Sequence, residues 1–64
     1  MIVNGVARSA TGVISVTALI EELGITPRGI AVAINGEIVR RSAWPTAMVQ
    51  ESDVVEIVTA VAGG

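Results

Sequence analysis

An α+β fold, a mixed sheet of about five strands with one main helix packed across it, is what this 64-residue chain predicts. Three observations carry the expectation. Val and Ile supply 19 of the 64 residues, a β-branched excess that favours pleated sheet over helix. Asn4-Gly5 and Asn35-Gly36, each flanked by apolar residues, are strong short-range signals for tight hairpins. One stretch shows helical periodicity, with Val16, Leu19, Ile20 and Leu23 spaced i, i+3, i+4, i+7.

The elements follow in order. A first hairpin pairs Met1–Val3 with the residues from Val6 onwards, and a second pairs Ile30–Ile34 with Glu37–Val39. Between them lies the helix, capped at its start by Ser15 or Thr17 and ended by Gly24, with Pro27 preventing continuation. It is about two turns long, too short to stand alone, so Val16, Leu19, Ile20 and Leu23 must lie on the sheet while Glu21 and Glu22 face solvent. From Arg40 to Asp53 the pattern breaks at Ser42, Pro45 and Thr46, predicting a loop or single helical turn around Trp44. Gln50-Glu51-Ser52-Asp53 reads as a turn into the last strand, Val54 to Ala60. Being nearly all apolar, the first and last strands belong side by side in the middle of the sheet.

Composition narrows the function. The length is that of one small domain, and no apolar run approaches the roughly 18 residues of a membrane span despite a mean hydropathy of +0.73. No basic stretch leads into an apolar one at the N-terminus, so the expected location is the cytoplasm, without membrane association. The chain has no Cys, His or Tyr, and so lacks the usual nucleophiles, imidazole bases and soft metal ligands. No catalytic residue and no bound metal or cofactor are expected. Six acidic side chains against four arginines give a net charge of −2, which argues against nucleic acid as a partner.

What remains is the ending. The residues Val61-Ala62-Gly63-Gly64 follow the last strand, and a glycine pair can thread a channel too narrow for side chains, presenting a carboxylate to another protein's chemistry. Residues 1–60 are therefore expected to form the domain and 61–64 a flexible tail.

Three stretches, in this order and at this length, resemble a known family. They are Val16 to Gly24; Ala31 to Arg41 with Trp44; and Asp53 to Ile57 running on to Gly64. Together they resemble the ThiS sulfur carriers of thiazole synthesis, in the ThiS/MoaD group of the ubiquitin-like β-grasp fold, across the whole chain. The resemblance implies that the Gly64 carboxylate is adenylated, with Mg-ATP, by an E1-like (ThiF-like) enzyme. Sulfur then replaces the adenylate to give a thiocarboxylate used by a ThiG-like thiazole synthase in thiamine biosynthesis. The physical need is clear, because a carboxylate with a pKa of about 3.5 is ionised at neutral pH and resists nucleophiles until one oxygen becomes part of a leaving group. On this reading the protein is a carrier and a substrate, not an enzyme, and a monomer when alone. One departure is Arg40, where many relatives carry proline; it bears only on local turn geometry.

Other residues have two readings. Trp44, the only aromatic side chain, is expected to be a lid over the small core, the alternative being an interface anchor. Arg40 and Arg41 either pair with acidic groups on a partner or are solvated strand ends. In the last strand Val55, Ile57 and Thr59 alternate with Val54, Val58 and Ala60, and only one face can meet the helix. Val58 and Ala60 are thus expected on an open surface beside the tail, as a docking patch for the partners. Val61, Ala62 and Gly63 form the stem. Three rivals remain open: the small subunit of molybdopterin synthase, a ubiquitin-like modifier conjugated through Gly64, and an interaction module with an inert tail.

Overall fold

The computed structural model describes residues 1–9 and 12–59. Chain order is β1 (Ile2–Val3), β2 (Val6–Ala7), β3 (Ile14–Ser15), α1 (Val16–Leu23), β4 (Ile30–Ile34), β5 (Glu37–Val39), a 3-10 turn (Arg41–Ala43), β6 (Met48–Val49) and β7 (Val54–Thr59). Five strands form the main sheet in the order β2-β1-β7-β4-β5. Pairing of β1 with β7 is parallel, and the other pairs are antiparallel, so the sheet is mixed with β7 at its centre.

Both hairpins form at the expected Asn-Gly pairs. Asn4 and Asn35 take φ of 50° and 51°, and Gly5 and Gly36 take 80° and 84°, the paired left-handed conformation of a two-residue hairpin loop. The helix is capped at both ends as expected. Ser15, with extended φ and ψ, accepts a hydrogen bond from the Ala18 N–H at 3.1 Å through its side-chain oxygen, which settles the choice between Ser15 and Thr17. At the other end Gly24 is left-handed at φ 69°; its N–H donates to the Glu21 carbonyl and the Ile25 N–H donates to the Ile20 carbonyl. This is a Schellman closure, and it turns half-buried Ile25 back onto the core.

Core packing follows the periodicities. Val16, Leu19 and Ile20 on the helix meet Val3, Val32, Val55 and Ile57 on the inner face of the sheet, with Met1, Trp44 and Val49 completing the buried cluster. Leu23 is half-buried, and Glu21 and Glu22 are exposed.

Two strands were illegible in the sequence. Ile14–Ser15 and Met48–Val49 pair antiparallel as a separate two-stranded sheet, where the sequence predicts only a helix lead-in and an irregular segment. Each strand is two residues long and has no alternation to read. This ladder has a structural use: beside it, the Val16 and Thr17 N–H groups donate to the carbonyls of Ala47 and Trp44. The irregular segment thus satisfies first-turn donors that a helix cannot satisfy itself.

Candidate functional site

The route to the tail is built by β7. Its inner face places Val55 (0% exposed) and Ile57 (8%) under the helix, while Val54 (42%) and Val58 (57%) stand outward. Val58 lies opposite Ala31 on β4, and Ala33 lies opposite both Glu56 on β7 and Ile38 on β5. Ile38 is 80% exposed. The outer face is therefore apolar at Ile2, Val54, Val58 and Ile38 but carries Glu56 in its middle, a charge that the alternation of apolar residues leaves out. Described structure ends at Thr59, which pairs with Ile30. Ala60, Val61, Ala62, Gly63 and Gly64 lie outside the described residues.

Both turn asparagines hold β7, a role beyond their turn geometry. Where β1 stops, the Asn4 N–H donates to the Val55 carbonyl. The Asn4 side chain then donates through Nδ2 to the Ile57 carbonyl at 3.0 Å and accepts the Ile57 N–H at 2.7 Å through Oδ1. One carboxamide thereby stands in for the next residue of a paired strand and extends the pairing of β7 towards its end. On the opposite flank Asn35 does similar work at the start of β7. Its N–H donates to the Val54 carbonyl, its Oδ1 accepts the Val54 N–H at 2.9 Å, and its Nδ2 donates to Asp53 at 2.9 Å. Sequence reasoning assigns the glycines of these turns but misses the carboxamides. The available signal is the choice of Asn, which alone among common turn residues carries its donor and its acceptor on separate side-chain atoms.

Replacing Asn4 by Gly keeps the positive φ and removes both bonds to Ile57, so it is expected to cost about 1–2 kcal/mol. Asn4→Asp is expected to cost more, since it turns a carboxylate oxygen towards the Ile57 carbonyl. Amide hydrogen exchange read by NMR checks this: the Ile57 N–H should lose protection selectively in Asn4→Gly, which removes its acceptor.

Asp53 is the one buried charged residue among those described. Its carboxylate accepts the Gln50 N–H at 2.9 Å and the Asn35 amide, closing the turn that delivers β7. The Gln50 N–H foremost, then Asn35, hold its pKa below the ordinary 3.8. A pKa lowered by folding contributes stability that is present above the unfolded value and lost as pH falls through the folded one. Thermal melts should therefore show stability falling below about pH 4. Asp53→Asn should flatten that acid limb while lowering stability at neutral pH.

The arginines divide. The Arg41 guanidinium lies 4.6 Å from the centre of the Trp44 ring and donates to the Pro27 carbonyl, bracing the 3-10 turn against the loop before β4. Trp44 itself is 5% exposed and donates its indole N–H to the Val39 carbonyl at 3.0 Å, so it is the lid and not an exposed anchor. The Arg40 side chain makes no capping bond and its φ is −64°, within the range a proline ring imposes, so the backbone here is one that proline could also adopt. Among the described residues no group of three or more His, Cys, Asp or Glu is placed to hold a metal ion, and no helix is long and apolar enough to cross a membrane.

A five-strand mixed sheet holding one helix, with its central strand leading towards a glycine pair, defines the ubiquitin-like β-grasp class. Comparison with known proteins narrows this. The model of the ThiS family matches residues 1–64, and the chain belongs to that family. It is similar to the crystal structure of a thiamine biosynthesis protein (ThiS) from Geobacter metallireducens, at 29% identity and a TM-score of 0.88, covering 98% of this chain and 96% of that one. A solution NMR structure of a Geobacter metallireducens thiamine biosynthesis protein matches at 30% identity and a TM-score of 0.75, covering 98% and 85%. Among curated proteins, a thiazole synthase of Paramagnetospirillum magneticum is 38% identical over all 64 residues, and the chain spans 20% of that protein's length.

Proposed function

We propose that this protein carries sulfur for thiazole formation in thiamine biosynthesis, as the substrate of enzymes that act on Gly64. Membership of the ThiS family over the full 64 residues carries the reading. In the first step a Gly64 carboxylate oxygen attacks the α-phosphorus of Mg-ATP in an adenylating partner, releasing pyrophosphate and leaving an acyl-adenylate. A sulfide-level nucleophile then attacks the acyl carbon and expels AMP, giving the thiocarboxylate. The chain supplies no catalytic group; its contribution is to present the carboxylate.

The fold supports that division of labour. β7 is anchored on both flanks up to Ile57, and five residues, Ala60 to Gly64, follow Thr59. Fully extended, they can reach at most about 17 Å, enough to place a carboxylate well inside a partner while the domain stays outside. Val58 and Ala60 form the docking patch beside the root of this tail, and Val61, Ala62 and Gly63 its stem. A similar stretch within a protein called a thiazole synthase supports such an enzyme as the sulfur acceptor, because carrier and acceptor must meet on every turnover.

ATP–pyrophosphate exchange tests the first step. With the organism's own adenylating enzyme, exchange should depend on this chain and vanish when Gly64 is removed. Exchange that persists without Gly64 would contradict the proposal.

A further inference from the structure

We propose that Arg28, Arg40 and Arg41 form a basic rim at the root of the tail, and that this rim seats against carboxylates bordering the channel into which a protein partner takes the tail. The inference rests on the carrier reading above and adds what kind of surface the partner must present.

Register places the three residues at one end of the sheet. Ile30 pairs with Thr59, so Arg28, two residues before Ile30, lies at the end of the sheet where β7 finishes. Val39 pairs with Val32, so Arg40 follows β5 at that same end. Arg41 is tied there through the Pro27 carbonyl. All three residues are exposed.

The remaining charges are distributed the other way. The chain has four basic side chains and a net charge of −2, yet the fourth, Arg8, sits at the opposite end, where its N–H bonds the Met1 carbonyl. Glu37 pairs with Ile34, which pairs with Val55, and Glu51 and Asp53 precede β7; these three acids thus share the end far from the tail. Glu56 stands mid-strand on the outer face, and Glu21 and Glu22 on the exposed side of the helix. Most of the positive charge of an acidic protein is gathered where the tail leaves. Such asymmetry orients the molecule in the field of an acidic partner and speeds productive encounter.

Local contacts fit the same reading. Stacking on Trp44 and the bond to Pro27 pre-set the Arg41 guanidinium, while the exposed Arg40 side chain makes no capping bond to the 3-10 turn. Beside the rim, Ile38 and Val58 are 80% and 57% exposed and supply apolar contact area on the outer face, with Glu56 between them. An acidic protein surface is favoured over the phosphates of the nucleotide, because an extended five-residue tail carries Gly64 farther from its root than an arginine side chain reaches. The rim meets the mouth of the channel and not the reacting carboxylate.

The test is pyrophosphate exchange with the organism's adenylating enzyme, at low and high salt, for Arg28→Glu/Arg40→Glu with Arg8→Glu as a reversal at the far end. At low salt the double reversal should raise KM for the chain by about tenfold or more with kcat kept, and added salt should shrink the difference. Arg8→Glu and the Arg28→Lys/Arg40→Lys variant should stay near wild type. A KM unchanged by the double reversal, or raised as much by Arg8→Glu, overturns the rim. Thermal melts of each variant confirm that the fold is retained.

If the wild-type chain supports no exchange at all, the carrier reading fails, and an NMR titration with hexaglutamate still decides the rim. Shifts confined to residues 28–31, 39–41 and 59 sustain it, and shifts that are absent or spread over the surface overturn it.

Discussion

Trp44→Ala is expected to lose about 3–5 kcal/mol of stability, the largest single-site effect in the described core. A 64-residue domain has only about 3–10 kcal/mol in total, so the variant should be largely unfolded at moderate temperature. Three losses combine: the buried indole leaves a cavity, the Val39 carbonyl loses its donor, and the Arg41 guanidinium loses the ring it lies over. Trp44→Phe keeps an aromatic ring and removes only the N–H, and should cost about 1–2 kcal/mol. Thermal unfolding followed by far-UV circular dichroism separates the cases, with Trp44→Ala melting roughly 15–30 °C below wild type. A Trp44→Ala protein that melts near wild type but fails to engage its partner would show the ring to be an interface anchor after all.

Removal of Gly64 is expected to abolish sulfur loading completely while leaving the melting temperature unchanged. Among the described residues the buried cluster is built from Met1 to Ile57, so removing Gly64 deletes none of its members. The proposed chemistry draws everything from it, because the adenylated group is its carboxylate. Truncation leaves a carboxylate on Gly63, one residue short of the acyl position. Since effective catalysis needs reacting atoms held in near-attack geometry, that displacement is enough to forfeit the reaction. The two variants are complementary: Trp44→Ala should destroy the domain and Gly64 removal only its cargo.

The parts of the fold that were legible are those in which local chemistry is strong. Asn4-Gly5 and Asn35-Gly36 announce their hairpins because only a few residues tolerate positive φ, and Ser15 and Gly24 mark helix ends that the backbone needs capped. The central place of β7 beside β1 followed from apolar residues on both of its faces. The β3–β6 ladder was not legible, because two residues per strand carry no periodicity and its partners are more than 30 positions apart. Nor was the second use of Asn4 and Asn35, since their bonds to Ile57 and Val54 depend on a register that exists only after the sheet assembles. Of the site, the outward position of Val58 was readable from alternation. The gathering of Arg28 with Arg40 and Arg41 was not, because it joins residues from different loops.

Intact mass spectrometry of the protein made in its own cells tests the central claim most directly. The account predicts a species heavier by the difference between one sulfur and one oxygen, localised to Gly64 by fragmentation and absent when Gly64 is removed. An unmodified mass, even with ATP, a sulfur donor and the adenylating enzyme supplied, would contradict it. Isopeptide remnants of Gly64 on other proteins would assign the tail to conjugation instead.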